Sequence, residues 1–429
     1  MQQLPFHRRV LLWVFVVMFF ALAPAVVFYT AGYRWNPKKG AIERYGTLIV
    51  DTRPSGASIS LNGTIIDERS PATLKDVAPG TYRITLTADG RHEWEKTLDV
   101  RPELVTFVND IEMWSTAEPS FLAAGSFTDV VSSENGRYLA ASESVDDGVN
   151  IVLLEISNGS RTEARIETNA DDVSLEWGGD SAAVLVRAGE HSWIVTRRDP
   201  ERAVELPDGF YRWNDGTLIG SLDGEQYLYD VTNDTTQRID TEPEVHDAEG
   251  TYEIISTTNT TGLVLVDRTK EDLQYGLPAG DWYFGPAYNG TLFLQRSGEW
   301  IGFDPDEDRP VARRIATVDP LQDVRVDGET YLLSRYEGEV WVMKLGEEPE
   351  LVVRKSQPIT DVAWHRRGNH IFYTTDSDLI VLELDARDHR VETVLASFDE
   401  MNGMTVARRI VYLAGVQNGV SGIYALEVE

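Results

Sequence analysis

Three carboxylates combine type and spacing in a way that could do chemistry. The stretch "DPDEDRP" (304–310) sets Asp304, Asp306 and Asp308 at i, i+2 and i+4. That spacing can gather oxygens around Ca²⁺, which takes roughly six to eight of them. The glycine and distal glutamate of an EF-hand loop are missing, so a solvated loop is the expectation and Ca²⁺ the one cofactor the sequence suggests. His365 and His370 flank "RRGN". That spacing straddles a turn, unlike the paired histidines of a zinc-binding helix, so turn residues are expected there. Tryptophans recur along the chain at 177, 213, 282, 300, 341 and 364. Trp177, Trp213 and Trp364 are the candidates for stacking on a bound sugar. The same residues could instead fill the space between packed sheets.

Other chemistries are excluded or left open. The chain has no cysteine, which removes disulfides, thiolate catalysis and Cys-ligated zinc or iron–sulfur centres. No G-x-S-x-G elbow occurs. Paired carboxylates for glycoside hydrolysis stay open, because 70 acidic residues guarantee accidental pairs. No catalytic residue is assigned, and no enzyme activity is expected. Against 39 basic residues the acids give a net charge of -31. Such a surface repels phosphate backbones and excludes nucleic acid as a partner.

The elements that must position these residues are repetitive. "FTDVVSSENGRYLAAS", "DDVSLEWGGDSAAVLV", "ITDVAWHRRGNHIFYT" and "MNGMTVARRIVYLA" share one plan: a short apolar strand, a polar turn, then an alternating strand. A third strand such as "VNIVLLEI" or "LIVLELD" follows, then a fourth. Units of roughly 40 residues with four strands are the signature of a β-propeller. Residues 115–429 accommodate eight such blades, with seven as the alternative. The last unit has three strands, and "SFLAAG" (120–125) precedes the first. Placing that orphan in the last blade closes the ring and removes its open edge. "SSENGRYLAAS" resembles the turn-and-strand of TolB-like and WD-repeat-like propellers, although the GH and WD dipeptides of true WD repeats are missing. The resemblance implies the fold and no activity.

Residues 47–114 read as a small antiparallel β-sandwich. "TLIVDT", "ASISLNG", "TYRITLTADG" and "KTLDV" alternate, and "LNGTII" reads as a hairpin turning on Asn62-Gly63. Ala57, Ile59 and Leu61 are expected on one face, with Ser58 and Ser60 on the other. Pro54, Gly56 and Ala57, followed by "SPATLKDVAPGTYRITL", resemble the PEGA domain over 47–113. Ser55 stands where that family's motif has Glu, and Arg91 where an aromatic usually follows the later glycine. The resemblance implies an extracytoplasmic accessory module of prokaryotic surface proteins, with no catalytic residue.

At the N-terminus, Val10–Thr30 runs 21 residues without a charge. At about 1.5 Å per residue this spans the roughly 30 Å of bilayer hydrocarbon. Small-x-small sites at 21–25 also suit a cleaved signal peptide. The apolar run continues past them, so an uncleaved anchor (10–33) is expected, behind a cytoplasmic head (1–9) and before a polar linker (34–46). The sequence thus describes an all-β protein held at the cell membrane by a single span, with its bulk extracytoplasmic. The expected role is binding or scaffolding, with an envelope protein or glycan as partner and the lipid bilayer engaged by the helix. The rival is a propeller hydrolase or lyase acting on envelope polysaccharide.

Overall fold

The computed structural model describes residues 6–30, 33–36, 40–170, 173–189, 191–214, 322–345 and 347–429; between these it describes 217–222, 225–230, 235–239, 245–249, 252–256, 263–267, 269, 274–277, 282–284, 292–296, 299–303 and 310–316. The chain divides into two units. One comprises Met1–Thr116, Asp385–Val391 and Glu429; the other comprises Ala117–Leu384 and Glu392–Val428.

The first unit opens with the helix Phe6–Thr30, whose stretch Val10–Thr30 is long and apolar enough to cross a membrane. The segment read as a linker contains a hairpin, Tyr33–Asn36 against Ala41–Arg44, with Tyr33 opposite Arg44. Two sheets follow. One has three strands in the order Ala72–Val77, Gly46–Arg53, Val105–Glu112; the other has four, Thr64–Arg69, Ser58–Leu61, Gly80–Thr87, Trp94–Val100. Leu48, Val50, Ile59, Ile84, Leu86 and Val108 form the core between them. The alternating burial of Gly46–Arg53 and Trp94–Val100 is what a sheet with one covered face produces.

The expectation of an all-antiparallel sandwich is corrected. Gly46–Arg53 and Val105–Glu112 run parallel, with Thr47 opposite Val105. The last strand follows a crossing from the other sheet and enters beside the first strand in the same direction. Alternation sets which face is buried but says nothing of direction. The hairpin at Asn62-Gly63 forms as read: Leu61 pairs with Thr64, and both turn residues have positive φ. Ala57 and Ile59 are buried and Leu61 packs against the same core.

The "RPSGA" stretch is tied down by Ser70. Its hydroxyl accepts the Ala57 N–H at 2.9 Å and meets the Thr52 hydroxyl at 2.5 Å. Its carbonyl accepts the Gly56 N–H at 2.7 Å. Gly56 has φ +98°, which a side chain would resist. The motif residues are therefore the parts of one turn, exposed at residues 54–56 and anchored by the buried Ala57. Arg91 holds the turn near it by donating to the Met113 carbonyl at 3.0 Å.

The second unit is a β-propeller. Its described strands form eight four-stranded antiparallel sheets, each a simple meander apart from the sheet that takes in Ser120–Ala124. We number them by their first strands: sheet 1 Phe127–Ser132, sheet 2 Val173–Trp177, sheet 3 Phe210–Asn214, sheet 4 Val245–Glu249, sheet 5 Tyr283–Phe284, sheet 6 Gln322–Val326, sheet 7 Asp361–Trp364 and sheet 8 Glu400–Ala407. Ser120–Ala124 pairs with Val420–Glu427 and supplies the fourth strand of sheet 8. The orphan strand closes the ring as the sequence led one to expect. Middle strands are covered on both faces by neighbouring sheets, so His370–Thr374 is buried at every residue.

Candidate functional site

The first strands carry the repeated polar residues. In "TDV" of sheet 1, Thr128 Oγ1 meets the Ser142 hydroxyl at 2.9 Å, and Asp129 Oδ1 accepts the Val130 N–H at 2.7 Å. In "TDV" of sheet 7, Thr360 Oγ1 meets the Thr374 hydroxyl at 2.8 Å, and Asp361 Oδ1 accepts the Val362 N–H at 2.8 Å. The repeated tripeptide thus makes the same contacts in both places. The turns that follow also repeat. Ser133 N–H donates to the Tyr138 carbonyl, Gly178 to Ala183 and His365 to His370, and each turn closes with a second bond three residues on. His365 and His370 therefore sit at the frame positions of a turn. Both are buried, with rings edge to face at 5.8 Å, and His365 Nδ1 lies 3.3 Å from Asn369 Oδ1.

Hydrogen bonds between first strands stitch neighbouring sheets together. Sheet 6 meets sheet 7 where Gln322 Nε2 donates to the Val362 carbonyl at 2.9 Å and Trp364 Nε1 to the Gln322 carbonyl at 3.4 Å. Sheet 8 meets sheet 7 where Met404 N–H donates to Asp361 Oδ2 at 2.9 Å. The ring closes between sheets 8 and 1. There Thr405 Oγ1 accepts the Ser132 N–H at 3.1 Å, and Asn402 Nδ2 donates to the Phe127 carbonyl at 3.0 Å. Trp177 Nε1 donates to the Val131 carbonyl at 3.2 Å, and Trp213 Nε1 to the Glu176 carbonyl at 3.3 Å. These join sheet 1 to sheet 2 and sheet 2 to sheet 3. Gly178 keeps the second joint closed, since a Cβ there would meet the Trp213 ring at 3.1 Å.

The three candidate tryptophans therefore occupy separate joints, each bonded to a carbonyl of an adjacent sheet. Trp364 also lines a recess. That recess, about 420 Å³, opens where the first strands of sheets 6, 7 and 8 converge. Sheet 6 contributes Gln322 and Asp323, sheet 7 Val362, Ala363 and Trp364, and sheet 8 Met404, Thr405 and Val406. Asp323 is exposed and Thr405 half-buried, while Trp364 is 8% exposed. The recess thus joins an apolar wall to a carboxylate, a carboxamide and a hydroxyl, groups that bind hydroxyl, amide or ammonium functions. Reading tryptophans alone misses Gln322, Asp323, Met404 and Thr405. The one trace in the repeats is that "QDV" (322–324) stands where sheet 7 has "TDV" (360–362), which sets Asp323 at the position of Asp361.

The remaining candidates lie elsewhere. Asp304, Asp306 and Asp308 fall outside the described residues. Among the described residues, no group of three or more His, Asp or Glu side chains is arranged to hold a metal ion. Burial pushes the Tyr211 phenol up to about 12, with Asp208 and Tyr227 adding to it. It also raises the phenols of Tyr373, helped by Glu392, and Tyr412. Tyr211 donates to the Pro207 carbonyl at 2.7 Å.

The fold class is thus a closed propeller preceded by a small sandwich. The sandwich is a PEGA domain: the PEGA family model matches residues 45–111. Among curated proteins none matches the chain in sequence. Several solved structures are similar to the chain at low identity. The Dos1 propeller is 10% identical with a TM-score of 0.47, covering 74% of this chain and 96% of that one. The Cps50 (Swd1) β-propeller domain of Myceliophteria thermophila is 13% identical with a TM-score of 0.42, covering 72% and 99%. An oligogalacturonate lyase from Vibrio parahaemolyticus is 13% identical with a TM-score of 0.41, covering 72% and 91%.

Proposed function

We propose that the chain is a membrane-anchored binding or scaffolding protein of the prokaryotic cell envelope, held by an uncleaved Val10–Thr30 span with its bulk outside the cytoplasm. The PEGA domain serves as a spacer, and the propeller presents the binding face to an envelope protein or glycan. The observation that carries this reading is the recess at sheets 6–8. It has the size and mixed lining of a subsite for one sugar ring or one polar side chain, with Asp323 and Thr405 as the groups that select it.

The test uses the full chain in detergent micelles, screened against envelope extracts and an array of envelope glycans. Asp323→Ala and Thr405→Val should each weaken capture about tenfold or more, the scale of one or two lost hydrogen bonds. Capture that both variants leave unchanged would contradict the recess as the site. Release of oligosaccharides from the polysaccharide would replace the binding reading with the hydrolase or lyase alternative.

A further inference from the structure

The sandwich carries exposed apolar side chains at one end. Leu104 is 54%, Val105 44% and Phe107 48% exposed. Leu104 lies in the connection before the strand Val105–Glu112, and Val105 and Phe107, two residues apart, point to the same side of that strand. Because this strand runs parallel to Gly46–Arg53, both begin at the same end of the domain. The Leu104 carbonyl accepts the Thr47 N–H at 3.0 Å, and the Tyr45 carbonyl accepts the Glu103 N–H at 3.1 Å.

That end is tied step by step to the apolar helix. The Phe28 ring, in the last turns of the helix, meets the Tyr33 ring edge to face at 5.3 Å. Arg44 also meets Tyr33, its guanidinium 4.6 Å from the ring centre, and pairs with Glu103. Leu104 is the next residue. Without the hairpin, the segment between Thr30 and Gly46 would allow the sandwich to stand well away from the helix. The pairing of Tyr33 with Arg44 cancels most of that reach. The sequence from 31 to 46 also holds four basic residues, Arg34, Lys38, Lys39 and Arg44, against one acid, Glu43. In a chain of net charge -31, this local excess of positive charge suits the anionic headgroup layer.

We propose that Leu104, Val105 and Phe107 form a second membrane contact, in which this end of the PEGA domain rests in the headgroup region of the bilayer that holds the helix. The inference depends on the reading of Val10–Thr30 as an uncleaved span. Apolar side chains beside basic residues bind such an interface by burying hydrocarbon and attracting anionic lipid together. The contact fixes the domain to the bilayer surface instead of leaving it on a loose tether.

The absence of native cysteine makes a direct test possible. Leu104→Cys, Phe107→Cys and Ile65→Cys variants of the full chain are labelled with an environment-sensitive fluorophore. They are then inserted in nanodiscs of phosphatidylcholine and phosphatidylglycerol, with or without lipid carrying a shallow spin-label quencher. Ile65, 75% exposed on the other sheet, is the reference. Quenching of about twofold is expected at 104, less at 107 and little at 65, as for a shallow interfacial contact. Adding Val105→Ser to the Leu104→Cys chain should reduce the quenching. An inserted chain whose label at 104 is quenched no more than that at 65 would overturn the contact. Emission that follows protein density per disc rather than the quencher would assign the patch to a second copy and overturn it equally. A chain that fails to co-elute with the discs would instead remove the anchor on which the inference rests.

Discussion

The two units put their polar side chains to different uses. In the PEGA unit Ser70 gathers Thr52, Ala57 and Gly56. Lys96, with 0% exposure, donates to the Asp385 carbonyl at 2.8 Å and lies 3.2 Å from its carboxylate, Asp385 belonging to the segment Asp385–Val391 that joins this unit from far along the sequence. In the propeller the comparable groups lie at the joints between sheets, and at sheets 6–8 they border a recess. The contrast teaches that repeated first strands can bring polar groups from three sheets to the border of one recess.

The comparison can be broken first at Trp364. Trp364→Ala removes a buried aromatic and should cost about 3–5 kcal/mol, the usual range for a large core truncation. Urea unfolding followed by fluorescence should show an earlier propeller transition. An unmoved midpoint would deny Trp364 its part in the joint between sheets 6 and 7.

Lys96→Ala should cost about 2–3 kcal/mol, because it removes a charged donor and leaves its acceptors without it. Here the PEGA transition should move. Ser70→Ala should cost about 1–2 kcal/mol through the lost Thr52 and Ala57 bonds, again within the PEGA domain, as read by amide exchange at Gly56 and Ala57.

The smallest effect concerns pH. Burial tends to raise the Asp385 carboxyl, but hydrogen bonds from Arg387 and the charge of Lys96 outweigh it and hold the group at about 2. Its folded value thus lies below its unfolded one. The stabilisation is complete above about pH 4 and disappears as the pH falls through about 2. Thermal melts across that window should steepen in the native chain and flatten in Asp385→Asn. Equal slopes would remove Asp385 from the acid response.

Much of the fold was legible in particular residues. Alternation and the Asn62-Gly63 turn marked the sandwich. The recurring "TDV" units and the orphan "SFLAAG" marked the propeller and its closure. The parallel pairing of Val105–Glu112 was not legible, because a strand has the same alternating pattern in either direction. The hairpin at Tyr33–Arg44 hid in a segment that reads as a polar linker. For the site, tryptophan spacing pointed to the inner joints. Only geometry separates Trp364, which lines the recess, from Trp177 and Trp213. Gln322, Asp323 and Thr405 carry no motif of their own, since their chemistry arises from three first strands converging.

One measurement tests the central claim most directly. A photoreactive label on Val406→Cys, which lines the same recess in a chain otherwise free of cysteine, is irradiated in intact envelopes, with the same label on Ile65→Cys as reference. The account predicts a discrete protein or glycan adduct from position 406 that Asp323→Ala diminishes, and no such adduct from position 65. Adducts of equal yield and identity from both positions would contradict a binding site at sheets 6–8.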